Sequence, residues 1–183
     1  MSAFRRMLVI VIALASTSSA AIAPQPDQLA AARVLGPQWK QIARASGMVF
    51  SGTVLGITAA PAGTDRAIPT VEVKFRVDQA IAGVKSGQVL TIREWAGAWS
   101  SHRAMRTGQR ILLFLYPPSR LGLTSPVGGP MGQVALDSSG KNVAVPVATV
   151  NVAFRARPPL RTVAQRSVSL TQLERAIRSA RGE

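Results

Sequence analysis

The segment Thr70 to Ala80 constrains the fold most, because apolar and polar side chains alternate along it with a period of two. Its apolar positions are Val71, Val73, Phe75 and Val77, and the positions between them are Glu72, Lys74, Arg76 and Asp78. A β-strand points successive side chains to opposite faces of a sheet. The pattern therefore predicts a sheet with one dry face and one wet face.

Two further strands are predicted on either side of this segment. Met48 to Ile57 contains valine, phenylalanine and isoleucine, which favour strands, and Gly52 and Gly56 stand where a strand bends or bulges. Val89 to Trp95 follows a turn at Gly83 to Gly87 and places Leu90 and Ile92 on one side.

Ile111 to Tyr116 is apolar throughout, which indicates a strand buried on both faces. Pro117-Pro118 stops it, because proline cannot donate a hydrogen bond to a ladder. Three shorter segments extend the predicted sheet, the first two flanking a hairpin turn at Asp137 to Lys141: Gln133 to Leu136, Asn142 to Val145 and Val147 to Phe154.

Helices are predicted before and after the strands. Asp27 to Ser46 is helical and broken at Gly36-Pro37, with Asp27 as the cap and with Trp39 and Ile42 packed on the strands. A second helix starts at about Leu170, where Ser169 and Gln172 form a capping box. Its apolar face consists of Leu173, Ala176, Ile177 and Ala180.

The first 23 residues are typical of an export signal. Arg5 and Arg6 precede an apolar run from Met7 to Ala15, which is shorter than the roughly 20 residues that span a bilayer. Small residues follow, and cleavage is expected between Ala20 and Ala21, which makes residues 1–20 a signal peptide. The predicted location is therefore outside the cytoplasm, in the periplasm or the extracellular medium.

The sequence contains no cysteine, which excludes disulfides, zinc thiolate sites and thiol nucleophiles. One domain is expected after the signal. Its predicted parts are a helical lead-in over 27–46, a β-barrel over 47–154, a basic linker over 155–168 and a helix over 169–181.

The chain is strongly basic, with a formal net charge of +14. Without Arg5 and Arg6, 20 basic residues remain against 8 acidic ones, a charge of +12. Such a field attracts polyanions, and in an exported protein these are anionic envelope polymers and lipid headgroups rather than nucleic acid. The alternative, that the scattered arginines only keep the protein soluble and bind no specific partner, stays open.

No arrangement of residues indicates catalysis, a metal or a cofactor. His102 is the single histidine, and no G-x-S-x-G motif accompanies it. Ser138 to Lys141 matches S-x-x-K but coincides with the predicted turn, and Gly83 to Gly87 lacks the upstream glycine of a phosphate loop. Acidic residues occur singly, so no metal site is predicted.

The segment Arg93 to Arg103 is the candidate binding surface. Its candidate residues are Arg93, Glu94, Trp95, Trp99, His102 and Arg103. Tryptophan and arginine are enriched at protein interfaces, where a few such residues contribute most of the binding energy. Either indole would serve equally well to close the end of the barrel over the core. The Gly/Pro-rich loop from Pro117 to Gly129 is a second candidate surface.

The order of these motifs resembles bacterial exported OB-fold-like proteins, whose domain is similar to the tissue inhibitor of metalloproteinases and netrin modules. The resemblance lies in Phe50-x-Gly52-x-Val54, Val73-x-Phe75-x-Val77, Gly83, Val89 to Ile92, and Gly108 before Ile111 to Leu115. It implies a mainly β fold: a five-stranded Greek-key β-barrel with flanking N- and C-terminal helices and no catalytic machinery.

The expected function is that of an exported, non-catalytic binding module for an envelope or secreted macromolecule, with inhibition of a protease as one version. The metalloproteinase inhibitors use an N-terminal cysteine that this sequence lacks. The alternative is a structural envelope protein held electrostatically on anionic cell-surface polymers. The oligomeric state stays open.

Overall fold

The computed structural model describes residues 25–60, 68–99, 105–144 and 167–183. The predicted signal peptide and the predicted strand over 147–154 lie outside these residues. The predicted linker also lies outside them, apart from its last two residues.

Five strands form one antiparallel sheet. They are β1 (Met48–Ala60), β2 (Thr70–Ala82), β3 (Val89–Trp95), β4 (Arg110–Leu115) and β5 (Gln133–Ala135), in the spatial order β3-β2-β1-β4-β5. The predicted bounds of β3 match the structure, and β1 and β2 continue beyond their predicted ends. With its flanking helices, the protein is mainly β, as predicted.

β4 is buried on both faces, as its apolar sequence predicts. Ile111, Leu113 and Leu115 point into one apolar cluster, and Leu112 and Phe114 point into another. The inner cluster fills the curl of the sheet and includes Phe50, Val54, Val71, Val73, Phe75, Val77, Ile92 and Met105. The outer cluster lies between the sheet and the helices.

β1 bends strongly around the inner cluster. Its pairing with β2 shifts register at three places, between Val49 and Phe50, between Ser51 and Gly52, and between Val54 and Gly56. A Cβ atom on Gly52 would lie 2.8 Å from the carbonyl oxygen of Arg76. Bulges increase strand twist, so the glycines predicted to mark them let the sheet curl.

The sheet is not a closed barrel. Its outer strands, β3 and β5, do not pair with each other. Residues 123–127, here the bridging segment, partly span the gap. The Thr124 N–H donates to the Arg93 carbonyl oxygen (2.9 Å), and the Val127 N–H donates to the Phe114 carbonyl oxygen (2.8 Å).

The bridging segment runs parallel to β3 and antiparallel to β4. A 3-10 turn over Gly129–Gly132 separates it from β5, which is only three residues long. Because of this interruption, no continuous strand joins β3 to β4, and the described residues leave the predicted barrel open.

Three helices cover the outer cluster: α1 (Pro26–Leu35), α2 (Trp39–Ala45) and, near the chain end, the last helix (Leu170–Arg181). Trp39 and Ile42 are buried against sheet residues, as predicted. Asp27 is not the cap of α1. Pro26 occupies the first helical position, and Asp27 lies in the first turn, where it pairs with Arg175 (3.2 Å).

A two-stranded sheet precedes the last helix. It pairs β6 (Asn142–Ala144) with β7 (Ser167–Ser169). The predicted capping box is absent, since the Ser169 side chain makes no capping hydrogen bond. Ser169 is paired with Asn142 in this sheet, and the Leu170 N–H donates to the Lys141 carbonyl oxygen (2.8 Å). The small sheet therefore sets where the helix begins.

The predicted turn at Asp137 to Lys141 is present. The segments on either side of it meet at the bridge between Leu136 and Val143 and at the hydrogen bond from the Asp137 N–H to the Asn142 carbonyl oxygen (2.9 Å). The Ser139 hydroxyl and the Asn142 amide donate to the Asp137 carboxylate, as do the backbone N–H groups of Lys141 and Asn142. These bonds, led by that from Ser139, hold the pKa of Asp137 well below its usual range.

Arginines cross-link the C-terminal ends of α2 and the last helix. Arg181 Nη1 donates to the carbonyl oxygens of Ala43 (2.9 Å) and Ser46 (2.6 Å). In return, Arg44 Nε donates to the Ala180 carbonyl oxygen (2.9 Å). A helix leaves its last carbonyls unpaired and partly negative, so each helix supplies the cation that satisfies the other.

We expect Arg181→Ala to lower the free energy of unfolding by about 1.5–3 kcal/mol, because it removes two charge-assisted hydrogen bonds. The Arg181 side chain is only 18% exposed. Arg175→Ala is the matched control, since its side chain is 63% exposed and surface ion pairs contribute about 0–1 kcal/mol. Urea unfolding measures both, and equal losses would contradict the cross-link.

The lowered pKa of Asp137 predicts a pH-dependent contribution to stability. The ionised carboxylate stabilises the folded state near neutral pH, and this contribution is lost as the pH falls below about 4. Asp137→Asn should therefore lower Tm near neutral pH, and the difference from wild type should shrink toward pH ~2. Ser138→Ala, in the same turn, should show no such trend. A Tm difference between wild type and Asp137→Asn that is independent of pH would contradict the prediction.

Candidate functional site

The predicted binding segment begins on β3 and continues into a single helical turn, α3 (Ala96–Trp99). We therefore number the last helix (Leu170–Arg181) α4. Successive side chains of a strand point to opposite faces, so β3 does not present Arg93, Glu94 and Trp95 as one surface.

Trp95 is solvent-accessible, with 52% of its surface exposed. A Cβ atom on Gly97 would lie 2.5 Å from Cζ2 of the indole. The ring therefore packs directly against the backbone of α3, and any other residue at position 97 would displace it. This contact holds a large apolar group at the surface in a defined position.

Trp99 has a different role. It is partly buried and packs against the inner cluster. Each tryptophan thus fits one of the two predicted roles. Trp99 covers the core, and Trp95 faces solvent, where a partner could contact it. The sequence does not separate the two, because both indoles stand in the same short segment.

The two charged residues of β3 lie on opposite faces of the strand. Arg93 is exposed and pairs with Glu72 on β2 (Nε to Oε1, 3.3 Å). Glu94 is 0% exposed and shares the inner face of the strand with Ile92. His102 and Arg103, the other candidate residues, lie outside the described residues.

A cleft of about 330 Å³ opens beside Trp95. On one side it is lined by Glu94, Trp95 and Ala98. On the other it is lined by residues of the loop after β4: Tyr116, Pro117, Ser119, Leu123, Thr124 and Ser125. We call this the β3-end cleft. It joins the two candidate surfaces of the sequence analysis, the segment after β3 and the loop from Pro117.

Tyr116 is a site residue that the sequence analysis assigns only to the buried strand. It is 42% exposed and lies just beyond β4. The Pro117-Pro118 pair is the sequence feature that could have indicated this exposure. It stops the strand directly after Tyr116 and so leaves the Tyr116 ring outside the core.

Hydrogen bonds hold the loop side of the cleft. The Thr124 hydroxyl donates to the Tyr116 carbonyl oxygen (2.6 Å), and the Leu123 N–H donates to Ser119 Oγ (3.2 Å). The Ser119 N–H donates to the Leu123 carbonyl oxygen (2.8 Å). The backbone bond from Thr124 to Arg93 then ties this loop to β3.

A second depression, of about 640 Å³, lies along α2. It is lined by Pro37, Gln38, Lys40, Gln41, Arg44 and Ala45, and thus contains two basic residues and no acidic one. Among the described residues, the β3-end cleft is thus lined by aromatic side chains and this depression by basic ones.

No group of three or more histidine, aspartate or glutamate side chains is placed to hold a metal ion within residues 25–60, 68–99, 105–144 and 167–183. Ser138 and Lys141, the S-x-x-K pair, are both exposed in the turn before β6. Among the helices of these same ranges, none has the length and apolar character needed to cross a bilayer.

Comparison with known proteins adds no assignment. No model of a protein family matches the sequence, and a search of curated proteins found none that is significantly similar.

The different surroundings of the three tryptophans predict different access to a neutral quencher. Trp95→Phe should remove most of the acrylamide-accessible fluorescence, because Trp95 is half exposed while Trp39 is buried. Trp39→Phe should instead remove emission that acrylamide hardly quenches. A Stern–Volmer slope that Trp95→Phe leaves unchanged would show that this indole is covered in solution.

Proposed function

We propose that this protein is an exported, non-catalytic binding module that recognises an envelope or secreted macromolecule at the β3-end cleft. One observation carries the proposal: Trp95 stands half exposed against Gly97, in the same cleft as the exposed ring of Tyr116. Of the candidate residues, Trp95 would contact the partner in the cleft, while Trp99 and Glu94 support the surface from within. Arg93 is exposed on the same face of β3 as Trp95 but is not one of the described residues that line the cleft.

An exposed tryptophan in a fixed position favours binding over a purely structural role. Apolar surface left in water forgoes about 25 cal/mol per Å² of stabilisation, so burying this ring on a partner is favourable. Binding costs the Trp95 ring little conformational entropy, because its contact with α3 already restricts it. Exposed aromatic side chains of this kind often contribute most of the energy of an interface.

The strand pairings support an OB-like barrel as the scaffold. β1, β2 and β3 form a meander, and β4 returns to pair with β1. The bridging segment has the pairing that a closing strand would need, parallel to β3 and antiparallel to β4. OB folds are partly open five-stranded Greek-key barrels that bind ligands through their loops.

Export is supported by residues 1–20, with their basic start, short apolar run and small residues before Ala21. In that compartment the partner would be an envelope polymer or an exported protein. A secreted protease is one such partner, given the resemblance to metalloproteinase inhibitors. Lack of inhibition of secreted metalloproteases by the purified protein would remove that version.

The alternative is a structural protein held on anionic envelope polymers. The basic depression along α2 favours it, because Lys40 and Arg44 line it and none of its described lining residues is acidic. Arg44 also bonds Ala180, so Lys40 is the side chain with which to test this surface. Electrostatic binding weakens steeply with salt, whereas binding centred on an aromatic side chain does not.

The test is recovery of partners from an envelope extract by immobilised wild type, Trp95→Ala, Val89→Ala and Lys40→Ala. We expect Trp95→Ala to lose the specific partner by about tenfold or more, at low and high salt alike. Val89→Ala is the matched control, since Val89 is an exposed apolar residue of the same strand outside the cleft. Equal recovery by wild type and Trp95→Ala, with salt-sensitive loss in Lys40→Ala, would support the alternative instead.

A further inference from the structure

We infer that the β3-end cleft binds an extended, proline-rich segment of another polypeptide. This inference rests on the proposed function and names the class of its partner. Three properties of the cleft lead to it: the charge of its lining, the chemistry of its aromatic side chains and the rigidity of its walls.

The accessible residues that the structure describes in the cleft lining are uncharged, although the chain as a whole has a formal net charge of +14. Among the residues that the structure describes, no lysine or arginine lines it. Its one carboxylate residue, Glu94, is 0% exposed. An anionic polymer would find its electrostatic partners elsewhere on this protein, for example at Lys40. The ligand that complements this described part of the lining is therefore uncharged where it contacts these residues.

The exposed groups of the cleft are those that a polyproline II helix requires. This conformation has no internal hydrogen bonds, so its carbonyl oxygens are free acceptors. The Trp95 indole N–H and the Tyr116 hydroxyl are donors, and neither has a hydrogen-bond partner among the described residues. Aromatic rings also provide flat apolar surfaces for proline rings, as in known aromatic-lined grooves for proline-rich peptides.

The rigidity of both walls suits a ligand that is itself stiff. Gly97 holds Trp95 on one side, and the bonds of Thr124 and Ser119 hold the loop after Tyr116 on the other. A preformed cleft and a preformed helix lose little conformational entropy when they associate. A volume of about 330 Å³ suits a short stretch of such a peptide rather than a folded domain.

The experiment is titration of the full chain with decaproline, and with a glycine-serine peptide of equal length. Binding is followed by calorimetry and by the emission shift of tryptophan. We expect decaproline to bind at least about tenfold more tightly than the glycine-serine peptide. Trp95→Ala should lose about tenfold or more of the decaproline affinity, Tyr116→Phe a smaller part, and Val89→Ala none.

Two results would overturn the inference. One is equal binding of decaproline and the glycine-serine peptide to wild type. The other is unchanged decaproline binding by Trp95→Ala. Displacement of bound decaproline by heparin, with a steep dependence on salt, would also contradict it, because that result assigns the cleft to polyanions.

Competition in the envelope pull-down separates this inference from the proposed function. If excess decaproline does not displace a partner whose capture depends on Trp95, the cleft binds something other than proline-rich peptide, and the proposed function stands. If Trp95→Ala captures every partner as well as wild type does, both the proposed function and the partner class are wrong.

Discussion

Burial of β4 on both of its faces is the constraint on which the rest of this structure depends. Ile111, Leu113 and Leu115 need an apolar interior on one side, and the curl of the sheet supplies it. Leu112 and Phe114 need a cover on the other side, which the helices provide. A strand with two dry faces cannot lie at the surface, so it requires both a curled sheet and a helical layer.

The same arrangement produces the candidate site. β4 must end at the proline pair, and the chain then turns back along the edge of β3 through the bridging segment. That return brings Tyr116 and its loop beside Trp95, at the seam where the sheet is nearly closed. The cleft thus lies where the bridging segment approaches β3 beside the unclosed edge of the sheet.

The proposed recognition site is separate from the basic residues that line the depression along α2. The formal net charge of +14 affects solubility and non-specific attraction. The β3-end cleft instead presents aromatic and hydroxyl groups, which provide contact area and directional hydrogen bonds. Under the proposed function, the basic residues would provide loose association by charge, and the cleft would provide recognition of a specific partner by shape.

The sequence by itself determined the elements whose signals are local. Alternation predicted β2, continuous apolar character predicted the two-sided burial of β4, and glycines predicted the bulges of β1. Only the tertiary structure decided the features that depend on contacts between distant residues. These are the unclosed edge between β3 and β5 and the start of α4 at the β6-β7 ladder. They also include the different roles of Trp95 and Trp99 and the position of Tyr116 beside Trp95. Periodicity reports which face of an element is apolar, but the partner of that face is set by long-range packing that no local pattern encodes.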